Sequence, residues 1–304
     1  MKRLPLLLVS LLALSIGNAI VRAQEPAKPV ETHALHNVFQ LDGGLFSGNS
    51  PDSEESFREL QKLGVKTIIS VDGSKPNLEL AHKFGMRYIH LPIGYDAVPR
   101  SRALDLTKAV QLSTGAGRIY LHCHHGKHRG PAAIAAVCRA TRGWSAERAD
   151  EFLKQAGTSP DYAGLHRDVR AYGIPGADEL ARLPNTFPEV APTPALVDAM
   201  VAIDEHHDAL KAAQKAGWRE VPGHPGLTPD QPAVLAWELL REMAREPEAK
   251  KLGADYEKLR ADSERTADQL RQLLRDPNSD TTARDAALVG FSQSCGACHK
   301  AHRN

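Results

Sequence analysis

Residues 119–131 read Ile119-Tyr120-Leu121-His122-Cys123-His124-His125-Gly126-Lys127-His128-Arg129-Gly130-Pro131, and the fold of the first half of the chain follows from them. A short apolar run ends at a cysteine, five residues separate Cys123 from Arg129, and a helix of small residues opens at Pro131. The pattern predicts a strand, a loop and a helix. Backbone N–H groups at a helix start point at whatever lies before it, and the helix dipole favours negative charge there. The loop is therefore expected to hold an oxyanion. Arg129 adds a planar, bidentate fork for phosphate oxygens, and the same positive field favours Cys123 as thiolate, the nucleophilic form. One site could then bind a phosphoryl group and attack it.

Around this loop, residues 36–173 alternate strand and helix signals, the pattern of an α/β domain with a central sheet flanked by helices. Strand signals cover 38–47, with a Gly43-Gly44 turn, then 65–71, 87–93 and 118–122. Ser50 reads as an N-cap, with Pro51 at the first helical position and Asp52, Glu54 and Glu55 in the first turn; Gly64 ends that helix. Further helices are expected before Gly85, over 101–113, and over 131–141, 145–156 and 161–172.

The loop resembles the HC-x5-R signature of the cysteine-dependent phosphatases, the protein tyrosine and dual-specificity phosphatases. That resemblance implies that Cys123 forms a phosphocysteine and that Arg129 binds the phosphate and stabilises the transition state. Gly126 matches the signature, and His124, His125, Gly126, Lys127, His128 and Gly130 complete the implied substrate-binding set. Family members usually carry Ser or Thr after the arginine to help the cysteine leave; Gly130 stands there in this chain, which predicts slow turnover. Such a phosphatase needs a proton donor for the leaving oxygen. Asp96, in Gly94-Tyr95-Asp96-Ala97-Val98-Pro99 and 27 residues before Cys123, stands where dual-specificity relatives have their acid loop; Asp72, before Gly73, is the alternative and reads more simply as a turn residue. Lys127 occupies a position where lipid- and inositol-directed members often have lysine. The expected substrates are thus a phosphorylated protein, a phosphoinositide or an inositol phosphate. His122 is expected to orient the cysteine. Alternating loop positions seldom converge on one ion, and Cys123 and Arg129 already account for the segment, so His122, His124, His125 and His128 are not read as a metal site.

Met1-Lys2-Arg3 precedes an apolar run over 4–20, and Val21-Arg22-Ala23 offers a small-x-small cleavage site. Residues 1–23 read as a secretory signal peptide, with 24–35 a short N-terminal segment and an uncleaved anchor the alternative. No second long apolar run follows, so no membrane span is expected after cleavage. A formal net charge of +1 and the absence of a lysine-rich tract exclude nucleic-acid binding through bulk charge. Four cysteines are too few for a disulfide scaffold. Cys138, in an apolar helix, reads as a small buried hydrophobe.

Pro175, Pro184, Pro188 and Pro192 make 174–192 a linker. Beyond it only helix signals remain. Thr193-Pro194 opens one helix, Thr228-Pro229-Asp230-Gln231 reads as a capping box for a second, and two more carry Leu252 to Leu273 and Leu288 to Cys298. Four amphipathic helices over 193–304 describe an all-α four-helix bundle. Its last helix carries Cys295-Gly296-Ala297-Cys298-His299, the c-type haem attachment motif. Residues three and four apart share a helix face, so both sulfurs can add to haem vinyl groups while His299 reaches the iron. The bundle resembles cytochrome c′ and its low-spin c556-like relatives, which implies covalent haem c and a second iron ligand from the first helix. Met200 holds that position, with His207 the other candidate on the same stripe and His206 more to the side. The resemblance also implies a redox partner protein, a homodimer formed through the bundle, and a periplasmic or otherwise exported location.

Overall fold

A computed structural model of the chain describes residues 26–42, 44–224 and 226–302. The signal-peptide reading of 1–23 and Gly43 of the expected turn lie outside the described residues. In chain order the elements are β1 (Lys28–Pro29), β2 (Phe39–Leu41), β3 (Leu45–Gly48), α1 (Glu54–Lys62), β4 (Val65–Ser70), α2 (Leu78–Lys83), β5 (Arg87–His90), α3 (Arg100–Ser113) and β6 (Arg118–His122). They continue with α4 (Arg129–Arg142), α5 (Ala146–Gln155), α6 (Ala163–Ala171), α7 (Ala177–Ala181), α8 (Ala195–Lys215), α9 (Asp230–Met243), α10 (Pro247–Lys251), α11 (Gly253–Arg275) and α12 (Thr281–His302).

The strands form one mixed sheet in the order β1-β2-β3-β6-β4-β5, antiparallel from β1 to β3 and parallel from β3 to β5. β6 therefore runs through the middle, between β3 and β4. Parallel strands covered on both faces need no polar alternation, and in β4 Thr67, Ile68, Ile69 and Ser70 are all buried. One face packs against α3, α4, α5 and α6 around Ile69, Leu121, Ile134 and Phe152. The other, around Ile68, Tyr88 and Tyr120, is closed by α1 and α2. Along α4 every residue from Arg129 to Cys138 is buried, as a helix segment surrounded by core requires.

Local chemistry moved several boundaries. α1 starts at Glu54 rather than Pro51, because Ser53 and Ser56 cap each other reciprocally and so outcompete Ser50. Gly64 does end it, at φ +74°. α4 begins at Arg129, two residues before Pro131, so the arginine belongs to the helix and not to the loop. At α9 only half of the expected capping box forms. Thr228 N–H donates to Gln231 Oε1 at 3.0 Å, but the Thr228 hydroxyl turns to Asp230 Oδ1 at 2.6 Å.

The linker is tied to the sheet edge. His90 N–H donates to Pro188 O at 2.9 Å, and Ala191 N–H donates to His90 Nδ1 at 3.0 Å. The C-terminal part is helical. α8, α9, α11 and α12 share a second core that includes Ile203, Leu210, Leu240, Tyr256, Leu270 and Phe291. No described helix is long and apolar enough to cross a membrane.

Candidate active site

β6 delivers the loop to the middle of the sheet, and the loop folds as it does because two of its backbone neighbours leave no room. Gly126 has φ +68°, and a Cβ there would lie 2.4 Å from Gly48 C. Asn37, itself in the left-handed region at φ 54°, donates from Nδ2 to Gly126 O at 2.8 Å and to Ala156 O at 2.9 Å. Thr158 Oγ1 donates to Lys127 O at 2.6 Å. Residues from three distant segments thus hold one turn.

Cys123 is 3% exposed at the base of the loop. Arg129, on the first turn of α4, donates from Nη2 to Asp72 Oδ1 at 2.8 Å, and its guanidinium lies 4.2 Å from the Tyr95 ring centroid. A carboxylate on one side and an aromatic face on the other leave the guanidinium little freedom to turn. Burial alone would raise the Asp72 carboxyl, but Arg129 and then His124 outweigh it and hold that group far below the usual carboxylate range. Asp72 is consequently held as a carboxylate and fixes Arg129 on one side.

His122 is buried and its Nε2 meets Tyr88 Oη at 2.6 Å. Burial lowers it to about 4 in spite of the field of Asp72, so it is neutral at pH 7 and adds no positive charge to the cysteine beside it. His124 goes the other way, raised chiefly by its bond to Asp72. His128 Nδ1 accepts from Ser159 N–H at 3.3 Å, and its ring packs 4.6 Å from that of Tyr162. His125 and Lys127 are exposed. Gly130 lies against the nucleophile: a Cβ there would be 3.0 Å from Cys123 N and 3.4 Å from its Sγ.

Asp96 is exposed on the stretch after β5, on the side of Arg167. The backbone there is pressed onto α6, since a Cβ on Gly164 would fall 1.4 Å from Asp96 O. Asp72 and Asp96, alternatives in the sequence, therefore stand in different surroundings, one locked to Arg129 and one open to solvent. Tyr95 and Asn37 were not singled out from sequence. The only signals for them were the neighbouring Asp96 and an asparagine ahead of a strand, a residue type that tolerates the left-handed region.

The helical half closes over this site. A Cβ on Gly73 would lie 2.4 Å from Val197 Cγ1 of α8, and Lys75 Nζ is 3.2 Å from Asp198 Oδ2. Between the two halves lies a cavity of about 650 Å³. Arg129, Tyr95 and His124 of the first half and Met200, Cys295, Cys298 and His299 of the helical half line it. His207 also borders the cavity, with Nε2 2.7 Å from Ser292 Oγ; His206 does not border it. Cys295 and Cys298 carry free thiols.

Over 181 residues, 58% of this chain and 81% of the relative, the sequence is 27% identical to the dual specificity protein phosphatase TpbA of Pseudomonas aeruginosa strain UCBPP-PA14. The crystal structure of P. aeruginosa TpbA superposes on 52% of this chain and 96% of its own, at 24% identity and a TM-score of 0.44. The catalytic core of the PP-IP phosphatase Siw14 from S. cerevisiae, crystallised with citrate, covers 50% of this chain and 93% of its own, at 20% identity and a TM-score of 0.42. No family model matches the chain. About half of the chain is thus a domain similar to the dual-specificity and tyrosine phosphatases.

Proposed function

We infer that the protein is an exported cysteine-dependent phosphatase that hydrolyses phosphate monoesters through a phosphocysteine, joined to a c-type haem domain used for electron transfer or for redox or gas sensing. The observation that carries the first part is Arg129, clamped between Asp72 and Tyr95 on the helix that follows the Cys123 loop. On this reading Cys123 Sγ attacks phosphorus, the phosphorus–oxygen bond of the ester breaks, and Asp96 gives its proton to the leaving oxygen. Water then attacks the phosphocysteine, loses its proton to Asp96, and releases phosphate and thiolate. Asp72 cannot replace Asp96, because its pairing keeps it ionised. His124, His125, Lys127 and His128 rim the phosphate, and the substrates are a phosphorylated protein, a phosphoinositide or an inositol phosphate.

The second part is supported by the donor set in the cavity. Two free thiols and an imidazole at i, i+3 and i+4 of α12 border one cavity with the thioether of Met200. Cys295 and Cys298 would hold haem c through thioethers, His299 and Met200 would bind its iron, and the group would supply a redox-active or gas-binding centre. α8, α9, α11 and α12 then form the four-helix bundle of a cytochrome c′-like domain. A redox partner and self-association through those helices belong to the same reading.

A second reading, a haem protein whose first half only binds anions, is favoured by Gly130, which brings no hydroxyl to the sulfur beside it. Phosphate release from phosphotyrosine and phosphoserine peptides, phosphoinositides and inositol phosphates separates the two. Steady release by the wild type and none by Cys123→Ser supports the phosphatase. No phosphate release by the wild type, or equal release by both proteins, supports the alternative.

A further inference from the structure

His124 and His125 of the loop meet a carboxylate from the other half of the chain. Asp204 Oδ2, on α8, lies 3.8 Å from His124 Nε2 and 3.4 Å from His125 Nε2. One ligand atom from each of the three lies within 4.8 Å of the others. Both separations are longer than the roughly 2.7–3.2 Å of a good N–H···O bond. They are close to the edge of a metal tetrahedron, in which bonds of about 2.0–2.2 Å place ligand atoms roughly 3.3–3.6 Å apart.

The other side of His124 carries the second observation. Its Nδ1 lies 3.5 Å from Asp72 Oδ2, and Asp72 is 1% exposed. Arg129 holds Oδ1, and the His124 ring is the group that faces Oδ2. A buried carboxylate beside the Nδ1 of a histidine favours the tautomer with its proton there, leaving the Nε2 lone pair outward. Metal-binding histidines are held in this way.

We propose that His124, His125 and Asp204 form a binding site for a divalent transition-metal ion of the zinc class. Two imidazoles and one carboxylate suit such an ion better than magnesium or calcium, which prefer all-oxygen sets. His124 and Asp204 both border the cavity that holds Arg129, so the fourth position is open to water or to an oxyanion at the loop. The ion would also staple α8 to the loop, because its ligands come from both halves of the chain. A neighbouring trio, Asp204, His207 and Asp208, is the weaker candidate, since His207 Nε2 is engaged with Ser292. The loop histidines fail as a site by themselves; the third ligand lies 79 residues after His125 in the sequence.

The site depends neither on turnover at Cys123 nor on haem, and its test reads the metal alone. Full-length protein, as purified and treated with chelator, is titrated with Zn2+ against a chromophoric chelator, and zinc retained after gel filtration is counted by elemental analysis. The wild type is expected to keep one equivalent. His125→Ala and Asp204→Ala, substitutions at side chains 46% and 41% exposed, should each weaken binding at least tenfold, while His206→Ala on the same helix keeps it. No retained zinc in the wild type, unchanged affinity in both ligand variants, or an equal loss in His206→Ala would overturn the assignment.

Discussion

Replacing Gly126 by alanine should damage the loop in a way the structure makes calculable. The new Cβ would lie 2.4 Å from Gly48 C, 2.6 Å from Asn49 N and 2.7 Å from Gly48 O. All three are backbone atoms and none can rotate aside. Carbon contacts relax at about 3.5–4.0 Å, so the loop must retreat from β3 by about 1 Å. Alanine at φ +68° costs about 1–2 kcal/mol, and overpacking of this kind adds about 1–3 kcal/mol. The expected destabilisation is therefore about 2–5 kcal/mol, with loss of the Asn37 bonds to Gly126 O and Ala156 O. Because the chain has two cores, a single unfolding midpoint would mix them. Hydrogen exchange of peptides from β3, β6 and the loop, read beside peptides from α8 to α12, isolates the affected half. Gly126→Asn is the discriminating partner. Asparagine tolerates the left-handed region, yet it carries the same Cβ and should recover only the conformational share. A Gly126→Ala protein within about 0.5 kcal/mol of wild type, or full recovery in Gly126→Asn, would refute the steric account.

Gly164→Ala should push the Asp96 backbone off α6, since its Cβ would fall 1.4 Å from Asp96 O. Phosphate release is expected to fall about 10- to 100-fold in kcat, with KM little changed; an unaltered kcat would remove Asp96 from the reaction. Acid should weaken the first half through His122, whose folded value of about 4 lies below the ordinary 6.5. A depressed histidine contributes its stability fully above 6.5 and loses it as the pH falls toward 4, so about 2 kcal/mol should disappear between pH 7.5 and 5. Asp72, also depressed, begins to lose its share only below about pH 4. Hydrogen exchange of β4 and β6 peptides at the two pH values, corrected for the intrinsic exchange rate, should show this slope flattened in His122→Gln, and an equal slope in both proteins would exclude His122 as its source.

Residue order alone was enough for the strand, loop and helix around Cys123, because their signals are local. An apolar run meets a glycine and then a stretch of alanines, and neighbours in the chain decide each step. The same holds for β4, for the helix ended by Gly64, and for the i, i+3, i+4 spacing that puts Cys295, Cys298 and His299 on one face of α12. Local competition already defeats such signals where two caps are available. Ser53 displaced Ser50 because it finds a reciprocal partner in Ser56, and Thr228 formed only half of its box because the Gln231 N–H donates to the Thr228 carbonyl oxygen and not to its hydroxyl.

Everything that depends on two distant segments meeting was beyond the sequence. Asp72 reads as a turn residue until β4 is seen beside β6, which brings the end of one strand to the helix that starts after the other and pairs Asp72 with Arg129. Tyr95 becomes the floor under that guanidinium only when the stretch after β5 folds back over the loop. His124 and His125 are two neighbouring loop histidines until α8 carries Asp204 to them. The sequence by itself singled out the residues proposed to bind an oxyanion and those proposed to hold a haem. The tertiary structure alone decided which charges are paired, and that Arg129 and His124 border one cavity with Met200, Cys295, Cys298 and His299, because burial and electrostatic pairing depend on distances through space rather than along the chain.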